Sequence, residues 1–186
     1  AHTRWATHGE PNRVNAHPHY SSDRRIALVH NGIIENYQTL KKSLLAEGRV
    51  FVSDTDTEVL VHLIERFYNG DDLEYAVQRA LEVVEGTYGI LVISASEPEK
   101  IVAARNGSPV VFGIGDDEYV IASDVAALLK HTRQVIYLED QQMVVATPKH
   151  FITMTVQNEY IEHQIQEVDW DLEQIEKGGF EHFMLK

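Results

Sequence analysis

The chain contains no cysteine. This absence excludes disulfide bonds, thiolate metal sites and a cysteine nucleophile among its 186 residues. Any thiolate chemistry linked to this chain must therefore come from a residue that is not among them.

Basic residues and long apolar runs are also scarce. The 16 Lys and Arg residues face 29 Asp and Glu residues, which gives a formal net charge of −13. Nucleic acid binding requires a clustered basic surface, and the pair Arg24-Arg25 is too short to provide one. No apolar run approaches the length of a membrane span, and no signal peptide is visible, so a cytoplasmic location is the default expectation.

The remaining composition is typical of one globular domain covering residues 1–186, with 44% apolar and 24% charged residues. The chain has no initiator Met, and Ala1 opens directly on a dense polar motif. We therefore expect the sequence to be an internal piece of a longer protein.

Hydrophobic periodicity changes once along the chain. Apolar stripes predict helices over residues 37–47 before a stop at Gly48, from residue 57 to about 68 before a stop at Asn69-Gly70, and from a cap at Asp71 or Asp72 to a stop at Gly86. Ser123-Asp124 is predicted to cap a brief helix that runs through Leu129. Strands are predicted, mostly after Gly86, at residues 26–29, 50–52, 88–93, 100–104, 110–114, 119–122, 135–138, 143–146 and 152–156. Short connections favour antiparallel hairpins, and the pattern as a whole predicts an α+β layered domain.

Three polar clusters near the start have both a binding and a structural interpretation. Arg4 carries a fork that grips a carboxylate, although a surface ion pair is more common for a single Arg. Asn31 and Gly32 follow an apolar strand, where an amide and a backbone N–H can form an oxyanion hole or simply a turn. Asp56 precedes a helix and can hold an ammonium group or cap the helix.

The 10 histidines include His17 and His19 on either side of a proline. That proline prevents the i, i+4 helical pairing common in zinc enzymes, and no cysteine assists. A metal-dependent hydrolase built on these histidines remains an open alternative, but hydrogen-bonding structural roles are favoured, and we predict no metal and no cofactor.

The order of the clusters is more specific than any one of them. HTRWATHG at residues 2–9, NAHPH at 15–19, VHNGIIEN at 29–36 and TDTEV at 55–59 closely resemble the glutaminase domain of glucosamine-6-phosphate synthases. The likeness continues through GTYG at 86–89, ARNGSP at 104–109 and IASD at 121–124, and ends at HFMLK at 182–186, the approach to a linker before a sugar-isomerase domain.

The resemblance implies an N-terminal-nucleophile amidohydrolase fold, a four-layer αββα sandwich of antiparallel sheets, incomplete here at its N-terminus. In that family an N-terminal Cys attacks the side-chain amide of glutamine, ammonia passes to a second domain, and water releases glutamate. Carried over by motif, the substrate-binding residues are Arg4 for the α-carboxylate, Asp56 for the α-ammonium, and Trp5, Thr7 and His8 for the pocket lining. Asn31 and Gly32 would form the oxyanion hole, with His17 and His30 as supporting residues.

The resemblance further implies glutamine and glutamate as ligands, a sugar-isomerase domain in the same parent chain, and a homo-oligomeric full-length protein active in amino sugar biosynthesis. Because the nucleophile is missing, we expect no glutaminase activity from these residues alone. Two other possibilities stay open. One is another amidotransferase of this fold, such as amidophosphoribosyltransferase or glutamine-dependent asparagine synthetase. The other is a non-catalytic module that senses glutamine or glutamate.

Overall fold

The computed structural model describes residues 2–3 and 7–169. The described helices are α1 (Tyr37–Ala46), α2 (Asp56–Phe67) and α3 (Leu73–Leu81). The described strands are β1 (His19–Tyr20), β2 (Ile26–Ile34), β3 (Gly86–Ser94), β4 (Glu97–Asn106), β5 (Val111–Ile114), β6 (Tyr119–Ala122), β7 (Gln134–Tyr137), β8 (Gln142–Ala146), β9 (Phe151–Thr155) and β10 (Gln166–Glu167). None of these helices has the length and apolarity needed to cross a bilayer.

The strands form two sheets in which every pairing is antiparallel. The larger sheet has six strands in the order β1-β2-β3-β4-β8-β9, and the smaller has four in the order β10-β7-β5-β6. The predicted antiparallel α+β architecture is therefore confirmed.

The two sheets stack face to face beneath the helices. Alternate residues of β3 and β4 point to opposite faces of the large sheet, as the pleat requires. Ile90 and Val102 join a core shared with α2 and α3. Leu91 and Ala103 join a second core shared with the small sheet. A short 3-10 helix, Val125–Ala127, packs on the outer face of the small sheet, where a brief helix was predicted.

Strand β2 is longer than its apolar run indicated. The predicted strand ended at residue 29, but β2 continues to Ile34 because it pairs with β3 along its whole length, from Ile26 opposite Ser94 to Ile34 opposite Gly86. Asn31 and Gly32 thus lie within a sheet strand and not in a turn after it.

Helices α1 and α2 are confirmed within one or two residues at their ends, and α3 begins directly after the predicted cap at Asp72. Helix α3 ends at Leu81, before the predicted stop at Gly86, because residues 82–85 form the connection to β3. Asn36 immediately precedes α1, but its side chain does not cap the helix. Instead its carboxamide donates to the carbonyl of Val83 at 2.8 Å and accepts from the N–H of Glu85 at 3.1 Å. Asn36 therefore bridges the start of α1 to the end of the α3 segment.

The predicted strand at residues 50–52 is wrong. Val50 and Val52 are 73% and 75% exposed, and only Phe51 between them turns inward, where its ring packs edge-on against His62. The N–H of Val52 donates to the carboxylate of Glu58 at 2.8 Å and not to a neighbouring strand. A buried carboxylate on the next helix has taken the hydrogen bond that a sheet would have used.

Candidate active site

A cavity of about 210 Å³ opens where β2 and β3 meet the start of α2. This volume is below the roughly 300–1,000 Å³ of sites for drug-sized ligands and suits a small polar molecule. Its lining comes from seven separated places in the chain: His2, Thr7, His17, His30, Asn31, Gly32, Ile33, Thr55, Asp56, Thr57, Thr87 and Ser108. We call residues 30–34, 55–57 and Thr87 the sheet wall, and residues 2–3 and 7–17 the loop wall.

Gly32 is fixed by its contact with β3. Its φ is +137°, and a Cβ at this position would lie 2.2 Å from the carbonyl oxygen of Thr87. No residue with a side chain can approach a backbone oxygen so closely. The Thr87 hydroxyl also accepts from the N–H of Ile33 at 3.2 Å. Gly32 therefore brings the backbone of β2 against Thr87, with the exposed Asn31 next to it on the cavity.

His30 is buried behind the cavity and has a defined tautomer. Its Nε2 lies 3.3 Å from the carbonyl oxygen of Thr87, which can only accept, so Nε2 carries the proton. Nδ1 then accepts from the hydroxyl of Thr57 at 3.0 Å. Burial lowers the pKa of His30, and the nearby negative charge of Asp56 offsets this only in part. The imidazole is held neutral.

Asp56 places a carboxylate at the first turn of α2. The side chain is 4% exposed, and its Oδ2 accepts from the N–H of Ile34 at 2.8 Å. The N-terminal end of the helix favours negative charge here. The carboxylate of Asp56 is thus held against β2 at the edge of the cavity, where it can bind a cationic group of a ligand.

Glu58 holds the turn that precedes Asp56. Its carboxylate accepts from the N–H of Val52 at 2.8 Å and from the N–H and hydroxyl of Ser53, both at 2.6 Å. Burial acts to raise the pKa of Glu58, but His62, Ser53 and Val52 outweigh it and lower the pKa to about 2. The Thr55 hydroxyl accepts in turn from the N–H of Glu58 at 3.3 Å, which completes an extended capping arrangement.

The loop wall is less regular. The rings of His2 and His17 lie 4.1 Å apart, and those of His17 and His19 lie 5.0 Å apart. His19 Nε2 lies 3.1 Å from the Thr55 hydroxyl, so this row of rings reaches the sheet wall. Over residues 2–3 and 7–169, no group of three His, Asp or Glu side chains is arranged to hold a metal ion.

A second cavity, of about 410 Å³, adjoins the first and shares His2 and Asn31 with it. It lies between the two sheets, with Val29 and Leu91 on the large sheet and Ile121 on β6 of the small one. Asn31 therefore stands at the junction between a polar cavity and a mixed cavity that leads into the sandwich.

The structure brings together most of the residues singled out from the sequence. Six of them line the first cavity: Thr7, His17, His30, Asn31, Gly32 and Asp56. His8 lines neither cavity, and its ring packs edge-on against Tyr37 at 5.0 Å. Arg4 and Trp5 lie outside the described residues. The individual roles of these residues stay predictions.

Several cavity residues were missed by sequence reasoning. Thr87 reaches the site because β3 pairs with β2, and Ser108 reaches it from the loop after β4. Both lie more than 50 residues after Gly32 in the chain. Both belong to motifs of the family resemblance, GTYG and ARNGSP, which was the one available signal. Thr57 was named only as a helix start, although its hydroxyl lies 3.0 Å from Nδ1 of His30.

Comparison with known proteins places these features in a family. A family profile described as a glutamine amidotransferase domain matches residues 1–173. Glutamine–fructose-6-phosphate aminotransferase (isomerizing) of Chlorobaculum tepidum is 57% identical over the whole chain, and the enzyme of that name from Methanothermobacter thermautotrophicus is 49% identical. The chain spans 31% and 32% of those two proteins.

Solved structures agree on the fold. Glutamine phosphoribosylpyrophosphate amidotransferase from B. subtilis, complexed with ADP and GMP, matches with a TM-score of 0.70 at 27% identity, over 83% of this chain and 34% of that one. A glutamine aminotransferase class-II domain protein from Silicibacter pomeroyi matches with a TM-score of 0.58 at 18% identity, over 75% of this chain and 70% of that one. The two-sheet sandwich is the fold of these amidotransferases.

Proposed function

The chain belongs to the glutamine amidotransferase domain family, and from that premise we propose that its 210 Å³ cavity is the binding site for free glutamine and glutamate. One observation carries the proposal. The buried carboxylate of Asp56, from the TDTEV motif, lines the same cavity as the exposed amide of Asn31 and the backbone of Gly32, both from the VHNGIIEN motif.

The proposed assignment uses both walls. Asp56 offers the carboxylate oxygen that Ile34 does not occupy to the α-ammonium group of the amino acid. The loop wall, which contains Thr7 and flanks Arg4 on both sides in sequence, takes the α-carboxylate. The side-chain amide of the ligand then points toward Asn31 and Gly32, where an amide N–H and a backbone N–H would stabilise charge developing on its carbonyl oxygen.

The reaction needs a thiolate that these residues do not contain. We propose that another segment of the parent protein supplies it, and that residues 1–186 form the rest of one glutaminase domain. The thiolate would attack the carbonyl carbon of the glutamine amide, ammonia would leave, and water would cleave the thioester to release glutamate. The second cavity offers space beside Asn31 for such a segment.

The activity of the whole parent protein is a further step of the proposal. The relatives are named glutamine–fructose-6-phosphate aminotransferase, so the ammonia would pass to fructose 6-phosphate in a sugar-isomerase domain and give glucosamine 6-phosphate. No cofactor is required for this amide chemistry. A cytoplasmic homo-oligomer is the expected form of the parent.

Two observations favour other functions more weakly. The similarity to phosphoribosylpyrophosphate amidotransferase supports a different ammonia acceptor, but at 27% identity against 57% for the aminotransferase. The absence of cysteine supports a non-catalytic module that senses glutamine or glutamate. Both alternatives keep the same cavity as the amino acid site.

Titration calorimetry of the 186-residue protein tests the proposal. We expect saturable binding of L-glutamate and L-glutamine, no binding of D-glutamate, and at least a tenfold loss of affinity in Asp56→Asn, because a full charge is removed from a buried pair. Incubation with glutamine should give no more glutamate than a heat-denatured sample. Absence of L-glutamate binding by the folded protein would refute the site.

A further inference from the structure

We propose that Asn15 is a positioning residue that sets the distance between the two walls of the cavity. Its carboxamide joins the loop wall to the turn before α2, and so fixes Thr7 relative to Asp56. This inference rests on the proposed function, because it concerns how a ligand that touches both walls is held.

The side chain of Asn15 is buried, with 1% of its surface exposed. Its Oδ1 accepts from the N–H of Asp54 at 3.0 Å, across 39 residues of chain. Its Nδ2 donates to the carbonyl of Glu10 at 3.1 Å, within the loop wall. The two ends of one amide therefore serve two different segments, which neither Asp nor Leu, of similar size, could do.

The loop wall is closed onto itself at the same residue. The backbone N–H of Asn15 donates to Oδ1 of Asn12 at 2.9 Å, which folds residues 12–15 into a tight turn. Thr7 lines the cavity and precedes this turn in sequence, and Glu10, whose carbonyl accepts from Asn15, lies between Thr7 and the turn in sequence. A shift of Asn15 thus moves the whole segment that carries Thr7.

Gly9 packs closely against the hydrogen-bonded bridge that Asn15 forms. Its φ is +77°, and a Cβ there would lie 2.6 Å from Asn15 Nδ2 and 3.1 Å from Asp54 Cβ. The backbone of the loop wall thus packs directly on both the bridging side chain and the turn that it reaches. Hydrogen bonds and close packing act at one point.

The bridge matters for binding because each wall offers one part of the site. Asp56 lies two residues beyond Asp54, and Thr7 lies two residues before Gly9. A ligand that contacts both walls gains affinity when their separation is set beforehand, since it need not spend binding energy to order them. Glu58 also supports the turn, but its carboxylate contacts Val52, Ser53 and His62, none of which belongs to the loop wall.

Three ligands separate this role from general structural support. L-Glutamate carries both α-substituents, glutarate lacks the α-ammonium, and 4-aminobutanoate lacks the α-carboxylate. The affinity of each for the 186-residue protein and for Asn15→Ala is measured by NMR titration. We expect about a tenfold loss for L-glutamate, the equivalent of one buried hydrogen-bonded bridge. Glutarate still reaches from the loop wall to Asn31, so its loss should be smaller but measurable, whereas 4-aminobutanoate contacts the sheet wall alone and should lose less than about twofold.

Two further variants complete the test. Asn15→Asp keeps the acceptor for Asp54 and loses the donor to Glu10, so we expect an intermediate loss for L-glutamate, and it serves in place of Asn15→Ala if that variant does not fold. Asn36→Ala is the matched control, because it also removes a two-ended amide bridge but lines neither cavity. The L-glutamate affinity of Asn36→Ala should equal that of the unaltered 186-residue protein.

The outcomes are distinct. Equal losses for all three ligands, or unchanged L-glutamate affinity in both Asn15 variants, would overturn the positioning role and leave the proposed function in place. If the unaltered protein does not bind L-glutamate, the proposed function itself fails.

Discussion

The two walls of the cavity are built in opposite ways. The sheet wall consists of a central strand and the first turn of a helix, and its side chains Asp56, Thr57 and His30 are each less than 5% exposed. The loop wall has no regular structure between residues 7 and 17, and most of its residues are exposed. The carboxamide of Asn15 joins it to the turn before α2, and His19 in the adjoining strand β1 contacts Thr55 of the sheet wall.

This difference indicates a division of labour. Groups that must face developing charge gain from a rigid backbone, because their stabilising effect depends on not having to reorganise. A segment that receives a ligand can tolerate lower local stability, and such segments are drawn from the less stable parts of a fold. Perturbing the sheet wall should therefore cost stability, whereas perturbing the loop wall should cost ligand affinity.

Gly32→Ala gives the largest expected effect and tests the sheet wall. The added Cβ would meet a backbone oxygen that cannot move without separating β2 from β3, so we expect a loss of about 4 kcal/mol in unfolding free energy, or failure to fold. Urea denaturation measures this. Gly70→Ala is the control, because Gly70 has a φ of +110° but nothing within 4 Å of the added Cβ. Equal losses in both variants would show that the contact with Thr87 is unimportant.

Glu58→Gln tests the support behind the sheet wall. The carboxylate accepts from two backbone N–H groups, and an amide in its place loses acceptors and adds a competing donor. We expect a loss of about 2–3 kcal/mol at pH 7. Because the pKa is lowered to about 2, the contribution of Glu58 is complete above its unfolded value near 4.5 and disappears as the pH falls toward 2.

Urea denaturation of Glu58→Gln at pH 7, 4 and 2.5 should therefore show the difference from the unaltered protein shrinking with acidity. Glu47→Gln is the control, because Glu47 is 36% exposed and pairs with Arg66 at the surface. That variant should change stability by less than about 0.5 kcal/mol. A pH-independent deficit in Glu58→Gln would contradict the assigned ionisation.

Gly9→Ala makes the equivalent change in the loop wall. Here the added Cβ meets the side chains of Asn15 and Asp54, which can shift, so we expect a smaller stability loss of about 1–2 kcal/mol. L-Glutamate affinity should fall about fivefold or more, because the bridge between the walls is displaced. Calorimetry and urea denaturation on one sample give both values. A stability loss as large as that of Gly32→Ala would remove the distinction between the walls.

His30 gives the smallest expected effect. Its pKa is lowered by burial, so below pH 6.5 the unfolded chain binds a proton that the folded protein resists. The unfolding free energy should decrease by about 1 kcal/mol between pH 7 and 5, and His30→Gln should lack this part of the decrease. His150→Gln, at an exposed site, should keep it. An unchanged slope in His30→Gln would mean that folding does not lower the pKa of His30.

The helices were predictable because their signals are local. Apolar stripes and the stops at Gly48 and Gly70 gave α1 and α2 to within two residues. The strands after Gly86 were found for the same reason, from alternation and turn residues. The extension of β2 was not, because it depends on partners in β3 about 60 residues away.

The sequence predicted several residues that line the cavity, but not the residues that hold them in place. The motifs identified Asn31, Gly32 and Asp56, which do line one cavity. Thr87 and Asn15 belong to the motifs GTYG and NAHPH, but no local pattern shows that Thr87 reaches the cavity by sheet pairing or that the amide of Asn15 reaches Asp54 in the folded chain. The run at residues 50–52 was misassigned because a buried Glu six residues away takes its hydrogen bond.

The most direct test of the amino acid site is a crystal structure of the 186-residue protein grown with saturating L-glutamate. We predict that the ligand occupies the 210 Å³ cavity, with its α-ammonium within hydrogen-bond distance of Asp56 and its side-chain carboxylate beside Asn31 and Gly32. An empty cavity, or a ligand bound elsewhere or in the reverse orientation, would contradict the site.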